Sequence, residues 1–261
     1  MQRKVIKKLY GVIGNPLRHS YSPAFFQEKF KEKHLDSSSY VKFELNRIED
    51  ITNVLDKNSN LRGLNVTIPY KEAIIPYLTE IDDDARNIGA VNVVKIEKDA
   101  ADKLILKGYN SDWYGFKKSI ETKIKPWHTK ALVLGTGGAS KGVIYALKRL
   151  NIEYQYVSRT AKQDCITYDD LNEDYFKQYK IIINTTPVGT FPNVKACPEI
   201  PYEYITKDHL VYDLIYNPIR SLFLHQAELK GATIYNGWEM FVYQALRSYK
   251  IWENKDWTHK F

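Results

Sequence analysis

Between Ala131 and Leu150 the chain reads ALVLGTGGASKGVIYALKRL, an apolar run that enters a glycine cluster and leaves it on a helical period. Leu132, Val133 and Leu134 are continuous and apolar, as expected of a strand covered on both faces of a parallel sheet. Gly135, Gly137 and Gly138, with Ala139 behind them, admit positive φ and close approach to the backbone, and Val143, Ile144 and Leu147 then fall on one helical face. The result is a strand-loop-helix unit. Its turn aims free N–H groups and the positive end of the helix dipole at one point, which suits a pyrophosphate. The spacing follows G-x-G-x-x-G/A except that Ser140 takes the third small position. On this motif alone a dinucleotide site and a plain tight βα connection both stay open.

About 20 residues past the first glycine of such a turn, an Asp or Glu would bind a ribose 2′-hydroxyl and select NAD. Here the strand from Glu153 to Val157 ends in Ser158-Arg159-Thr160, a cation between two hydroxyls, which is what a 2′-phosphate requires. NADP(H) is therefore expected over NAD; the plainer alternative is a solvated arginine on a surface loop.

A chain of 261 residues can form one large domain or two small ones. No apolar run reaches the ~18 residues of a membrane span, and the start MQRKVIKKLYGVIG lacks an apolar core with a small-residue cleavage site, so a cytoplasmic protein with no membrane partner is expected. Cys165 and Cys197 have no CxxC spacing or His-rich surroundings, which leaves neither a disulfide framework nor a metal site to expect. The net charge of +7 is scattered rather than gathered into a basic arm, which argues against nucleic acid and for attraction of small anions.

From the start of the chain, Lys8 to Ile13 reads as a strand that ends in the turn Gly14-Asn15-Pro16. In His19-Ser20-Tyr21-Ser22-Pro23, Ser22 takes the N-cap place and Pro23 the first helical position, ahead of Phe25, Phe26 and Phe30. Ser20 and Ser22 serve either the helix start alone or a substrate carboxylate at its positive end. Val41 to Leu45 and Leu61 to Ile68 read as strands, Ile48 to Leu55 and Ala73 to Leu78 as helices. Thr67 and Lys71 fall at a strand-to-helix junction, where ligands of open α/β sheets gather; a lone surface lysine is the other reading. Asp112 is placed to cap a helix begun by Tyr114 and Phe116. Farther on, Tyr168 to Tyr179 and Ser221 to Leu229 read as helices, and Lys180 to Asn184, His209 to Leu214 and Ala232 to Tyr235 as strands.

The motifs GNPLRHSYSP, NVTIPYK, GAVNVV, GYNSDWYGF, GTGGASKG, INTTPVG, YDLIYNP and GWEMFVYQA, in this order along nearly the whole chain, strongly resemble the shikimate dehydrogenases. The resemblance implies a two-domain α/β fold: an N-terminal α/β substrate domain over residues 1–110, a doubly wound Rossmann NADP-binding domain over 111–236, and a C-terminal helix within 237–261 that returns to the substrate domain. It implies reversible reduction of 3-dehydroshikimate to shikimate, in chorismate and aromatic amino acid biosynthesis. A monomer or homodimer is expected. Carried over motif by motif, Lys71 and Asp112 would form the catalytic pair, and Ser20, Ser22, Asn65, Thr67, Asn92, Tyr216 and Gln244 would line the substrate pocket. Gly135, Gly137, Gly138, Ala139, Ser158, Arg159, Thr160, Asn184, Thr185, Leu214, Gly237 and Met240 would surround NADP(H).

The chain departs from the family pattern in places. Ser158 replaces the common Asn of N-R-T, Gln163 stands where a second basic residue is frequent, and Thr190 and Val93 replace a common Met and Thr. A quinate/shikimate dehydrogenase with relaxed or NAD preference and a non-catalytic nucleotide-binding module are the alternatives. An acid near Ser158 would favour the first and loss of Lys71 or Asp112 the second; the chain has neither feature.

Overall fold

The computed structural model describes residues 7–18, 20–161 and 164–259; His19, Gln163 and the first six residues, all used in the sequence reading, lie outside them. Among the described residues, those of Met1–Ser111 with Ala245–Thr258 form one compact unit and those of Asp112–Gln244 with His259 form another.

The first unit runs β1 (Lys8–Gly14), α1 (Ser22–Glu32), β2 (Ser38–Glu44), α2 (Ile51–Lys57), β3 (Leu61–Val66), α3 (Tyr70–Ala73), β4 (Glu80–Ile81), α4 (Asp83–Ile88), β5 (Val93–Lys98) and β6 (Leu104–Tyr109). Its sheet has the order β2-β1-β3-β5-β6-β4. The sheet is mixed: β1 is parallel to β2 and β3, whereas β5 is antiparallel to β3 and β6. Strand β1 is buried from Leu9 onward, as an apolar run in mid-sheet must be, while the edge strand β2 mixes buried and open positions. Phe26 of α1 stacks on Tyr40 of β2 at 4.5 Å.

Three local expectations are corrected here. Ser22 is not the N-cap: the chain enters α1 through Tyr21 in helical conformation, so no extended residue turns a side-chain oxygen back onto the first N–H groups. The helix expected over Ala73 to Leu78 is broken, because Pro76 has no N–H to continue it, and Ile75–Tyr77 forms a 3-10 turn instead. Ile48 to Leu55 likewise divides into a 3-10 turn, Ile48–Asp50, and α2.

The second unit runs α5 (Asp112–Ile120), β7 (Lys130–Leu134), α6 (Gly138–Arg149), β8 (Glu153–Ser158), β9 (Cys165–Thr167), α7 (Glu173–Gln178), β10 (Ile181–Asn184), β11 (Leu210–Asp213), α8 (Leu222–Leu229) and β12 (Thr233–Tyr235); α9 (Trp238–Glu253) supplies residues to both units. Asp112 is the first residue of α5, not a cap ahead of it. The helix expected from Tyr168 is shortened to α7, because Asp170 turns back to bind the Thr167 N–H and hydroxyl and Asn172 caps the helix that follows.

All neighbouring strands of this sheet are parallel, in the order β12-β11-β10-β7-β8-β9. Counted from β7 and read from the other edge, this is the 3-2-1-4-5-6 order of the doubly wound dinucleotide-binding sheet. Both faces are covered. Ala131, Val133, Ile181 and Ile183 pack with Phe116, Val143 and Leu147, while Leu132, Leu134, Ile182 and Val211 pack with Phe176, Phe223 and Leu224. That alternation explains why β7 and β10 read as unbroken apolar runs. Among the described residues no helix is long and apolar enough to cross a membrane.

Candidate functional site

In the second unit the chain order reverses between β7 and β10, and in such sheets ligands bind outside the carboxyl ends of the strands at that point. Gly135 leaves β7 at φ +99°, where a Cβ would stand 2.8 Å from Thr186 Cγ2 and 3.0 Å from Thr185 Oγ1. Only glycine fits there. Gly137 precedes α6 in extended conformation, and a Cβ on it would meet no atom within 4 Å, so its backbone faces open space. Gly138 and Ala139 open α6 behind it, with their N–H groups at the positive helix end. Ser140 stands in for the usual small residue because its hydroxyl is satisfied locally, donating to Gly137 O at 2.7 Å, while the residue is buried.

Ser158 closes β8, its Oγ accepts from Thr160 N at 3.4 Å, and Arg159 between them is exposed. The positive charge of Arg159 lies close enough to Tyr168 to oppose the upward push of burial on that phenol. At the end of β10, Thr185 Oγ1 donates to Leu134 O at 2.7 Å, and Leu214 N donates to Asn184 O at 3.0 Å. Gly237 lies so close to Leu214 that a Cβ would fall 2.0 Å from its carbonyl oxygen. Met240 is buried in the same unit, Gln244 Nε2 donates to Phe241 O at 3.0 Å, and the Tyr216 ring lies 5.1 Å from that of Phe241. The expected cofactor residues from the glycine turn, β8, β10 and β11 thus share the carboxyl edge of one sheet.

In the first unit, Asn65 lies on β3, Thr67 and Lys71 just beyond it, and Asn92 just before β5. Backbone bonds lock them into one arrangement: Val66 N donates to Asn92 O at 2.8 Å, Tyr70 N to Thr67 O at 2.9 Å and Val91 N to Lys71 O at 2.8 Å. Side chains extend it. Tyr40 Oη donates to Asn65 Oδ1 at 2.8 Å, Asn65 Nδ2 donates to Ser248 Oγ at 2.9 Å, and Asn92 Nδ2 donates to Ser111 Oγ at 3.1 Å. Burial pushes the Tyr40 phenol well up, and a hydrogen bond from Ser22 opposes that push. Asn65 and Asn92 therefore belong to a buried polar network with Tyr40, Ser111 and Ser248, with the half-buried Ser22 at its margin; Tyr40, Ser111 and Ser248 were not among the expected site residues. The available signal was weak: Ser248 follows Gln244 by one helical turn. Ser20 lies just ahead of α1, where its N–H donates to Leu17 O at 3.2 Å. Among the described residues no cluster of His, Cys, Asp and Glu is arranged to hold a metal ion.

A doubly wound parallel sheet with a glycine turn after its first strand and a cationic turn after its second, carried in one chain with a mixed sheet whose strand ends bear hydroxyls, amides and a lysine, defines a nucleotide-cofactor enzyme of the two-unit α/β class. The family model described as the shikimate dehydrogenase substrate binding domain matches residues 12–94. The shikimate dehydrogenase (NADP(+)) of Methanococcus maripaludis (strain C7) is 40% identical over 94% of this chain and 91% of its own. The crystal structure of a shikimate dehydrogenase in complex with NADP+ superposes with a TM-score of 0.83 at 33% identity, covering 96% of this chain and 91% of that one. The Thermus thermophilus enzyme, in complex with NADP(H) and shikimate, has a TM-score of 0.81 at 28% identity, covering 95% and 94%. This chain belongs to the shikimate dehydrogenase family.

Proposed function

We propose that this NADP(+)-dependent shikimate dehydrogenase reduces 3-dehydroshikimate to shikimate with Lys71 and Asp112 as its catalytic pair. In this reading Ser20, Ser22, Asn65, Thr67, Asn92, Tyr216 and Gln244 hold the substrate, and the carboxyl edge of the parallel sheet, with Arg159, Gly237 and Met240, holds NADP(H). Residues 1–110, with a returning C-terminal helix within 237–261, make the substrate domain and 111–236 the NADP-binding domain, in a cytoplasmic monomer or homodimer.

The observation that carries the reading is the gathering of Asn65, Thr67, Lys71 and Asn92 around the carboxyl end of β3, tied by backbone bonds. The cofactor edge also fits its group: an open glycine backbone at the head of α6 suits a pyrophosphate, and Arg159 flanked by hydroxyls suits a 2′-phosphate. When bound, NADPH supplies the hydride. Reduction of a ketone leaves negative charge growing on its oxygen, so an ammonium at that oxygen stabilises the transition state more than the ground state, and it can give up a proton. Lys71 takes that role. Asp112, its partner in the proposed pair, accepts a hydrogen bond from a substrate hydroxyl and so holds the substrate in one orientation as the charge appears. Serine hydroxyls and amide N–H groups bind the substrate carboxylate and hydroxyls.

Lys71→Ala is expected to lower kcat by about 10² to 10⁴, the usual cost of a lost general acid, with little change in KM for NADPH. Lys71→Arg should not restore the rate, because a guanidinium holds its proton too tightly. A kcat that stays within a few-fold of the parent enzyme in Lys71→Ala would remove the lysine from this role.

A further inference from the structure

We infer that Asp213 is a positioning residue that sets the geometry of the cofactor edge, an assignment that rests on the NADP(H) reading of that edge and adds a residue to it. Asp213 ends β11 and is wholly buried. Both of its oxygens are engaged: Asn184 Nδ2 donates to Oδ1 at 3.0 Å, Ile215 N donates to Oδ1 at 3.1 Å, and the Ser221 hydroxyl donates to Oδ2. One carboxylate thus ties the last residue of β10, the loop after β11 and the N-cap of α8.

The bond to Asn184 also decides which way that amide faces. With Nδ2 turned to Asp213, Oδ1 is left to accept from Thr186 N at 3.0 Å and from Thr186 Oγ1 at 2.6 Å. Thr185, next to it, reaches Leu134 O, and both threonines pack under the positive-φ backbone of Gly135. On the other side, Gly237 N donates to Ile215 O at 3.1 Å. The loops after β7, β10 and β11 and the turn at Gly237 are therefore linked through a single side chain. Burial pushes the Asp213 carboxyl up to about 6. A buried charge is a poor device for stability alone, since a well-packed apolar group often serves as well or better, but it suits a role that demands one fixed arrangement of polar loops.

Asp213→Asn keeps the size of the side chain and replaces one accepting oxygen by an amide donor, which either opposes Asn184 Nδ2 and Ile215 N or forces the Ser221 hydroxyl to turn from donor to acceptor. At a temperature well below its melting transition, the variant should bind NADPH about tenfold or more weakly, read by titration of reduced-nicotinamide fluorescence. Its KM for 3-dehydroshikimate, and its kcat at saturating NADPH, should stay within about threefold of the parent. A Kd for NADPH that does not change overturns the assignment, as does an equal loss in both substrates and in kcat, which would mark general damage. Arg159→Ala is run beside it. If that variant binds NADPH weakly and Asp213→Asn does not, the positioning role falls and the cofactor reading stands; if neither binds weakly, both fall. Should Asp213→Asn not fold, Ser221→Ala removes one bond and keeps the carboxylate. Its Kd should rise about threefold or more, and no rise overturns the assignment.

Discussion

Arg159 leaves β8 between two hydroxyl residues, exposed and a short way from Tyr168. If it takes the 2′-phosphate, the contact is charge-assisted and worth on the order of 1.5 to 3 kcal/mol. Arg159→Ala should then raise KM for NADPH roughly tenfold or more and leave KM for NADH nearly unchanged, and equal changes would contradict the assignment. At this scale the candidate site was readable where chemistry has a local signature: a cation between hydroxyls, a lysine after a strand, glycines before a helix. It was not readable where partners are distant. The place of Ser22 ahead of Pro23 suggested a cap, yet the helix is entered through Tyr21 with no side-chain cap, and Ser22 lies within reach of Tyr40 in another element. Tyr40, Ser111 and Ser248 carry no local pattern, because their significance arises only when β2, β3 and α9 bring them to Asn65 and Asn92.

Elements were legible in proportion to the length and regularity of their apolar pattern. The runs of β7 and β10 and the amphipathic stretch of α6 are long enough to read directly. Strands β4 and β9, with their few residues, are too short to show a period, and α4 begins among acidic residues, one of which, Asp82, caps it. Helix–sheet fit was equally hidden. Within the first unit, Trp252 of α9 lies against Gly63 of β3, where a Cβ would fall 2.3 Å from the indole, and Trp252 Nε1 donates to Val94 O at 3.0 Å. Gly63→Val should therefore destabilise the protein in urea unfolding by about 1 to 3 kcal/mol or more, and Trp252→Ala by about 3 to 5 kcal/mol. In the double variant the costs should fall well short of their sum, because the valine then occupies space the indole has left. Simple additivity would show that the two do not share that space.

At the scale of the whole molecule, each unit buries its own core: Leu9, Leu64 and Val94 in the first, Val133, Ile183 and Phe223 in the second. The alternation of strands and helices pointed to α/β organisation, but strand order was beyond it. The antiparallel β5 in the first sheet and the doubly wound order of the second follow from pairings between distant strands, which no local pattern encodes. The family resemblance supplied what periodicity did not, because motifs spread along the chain record the arrangement together. The assigned activity is tested most directly by one steady-state comparison, made on the full chain by following reduced-nicotinamide absorbance: kcat/KM with 3-dehydroshikimate and NADPH, beside NADH as cofactor and beside quinate against shikimate in the oxidative direction. NADPH should exceed NADH, and shikimate exceed quinate, each by about tenfold or more, the discrimination a site gains by pairing with one charged or hydrogen-bonding group. Equal or better turnover with NADH, or no reduction of 3-dehydroshikimate with either cofactor, would contradict it.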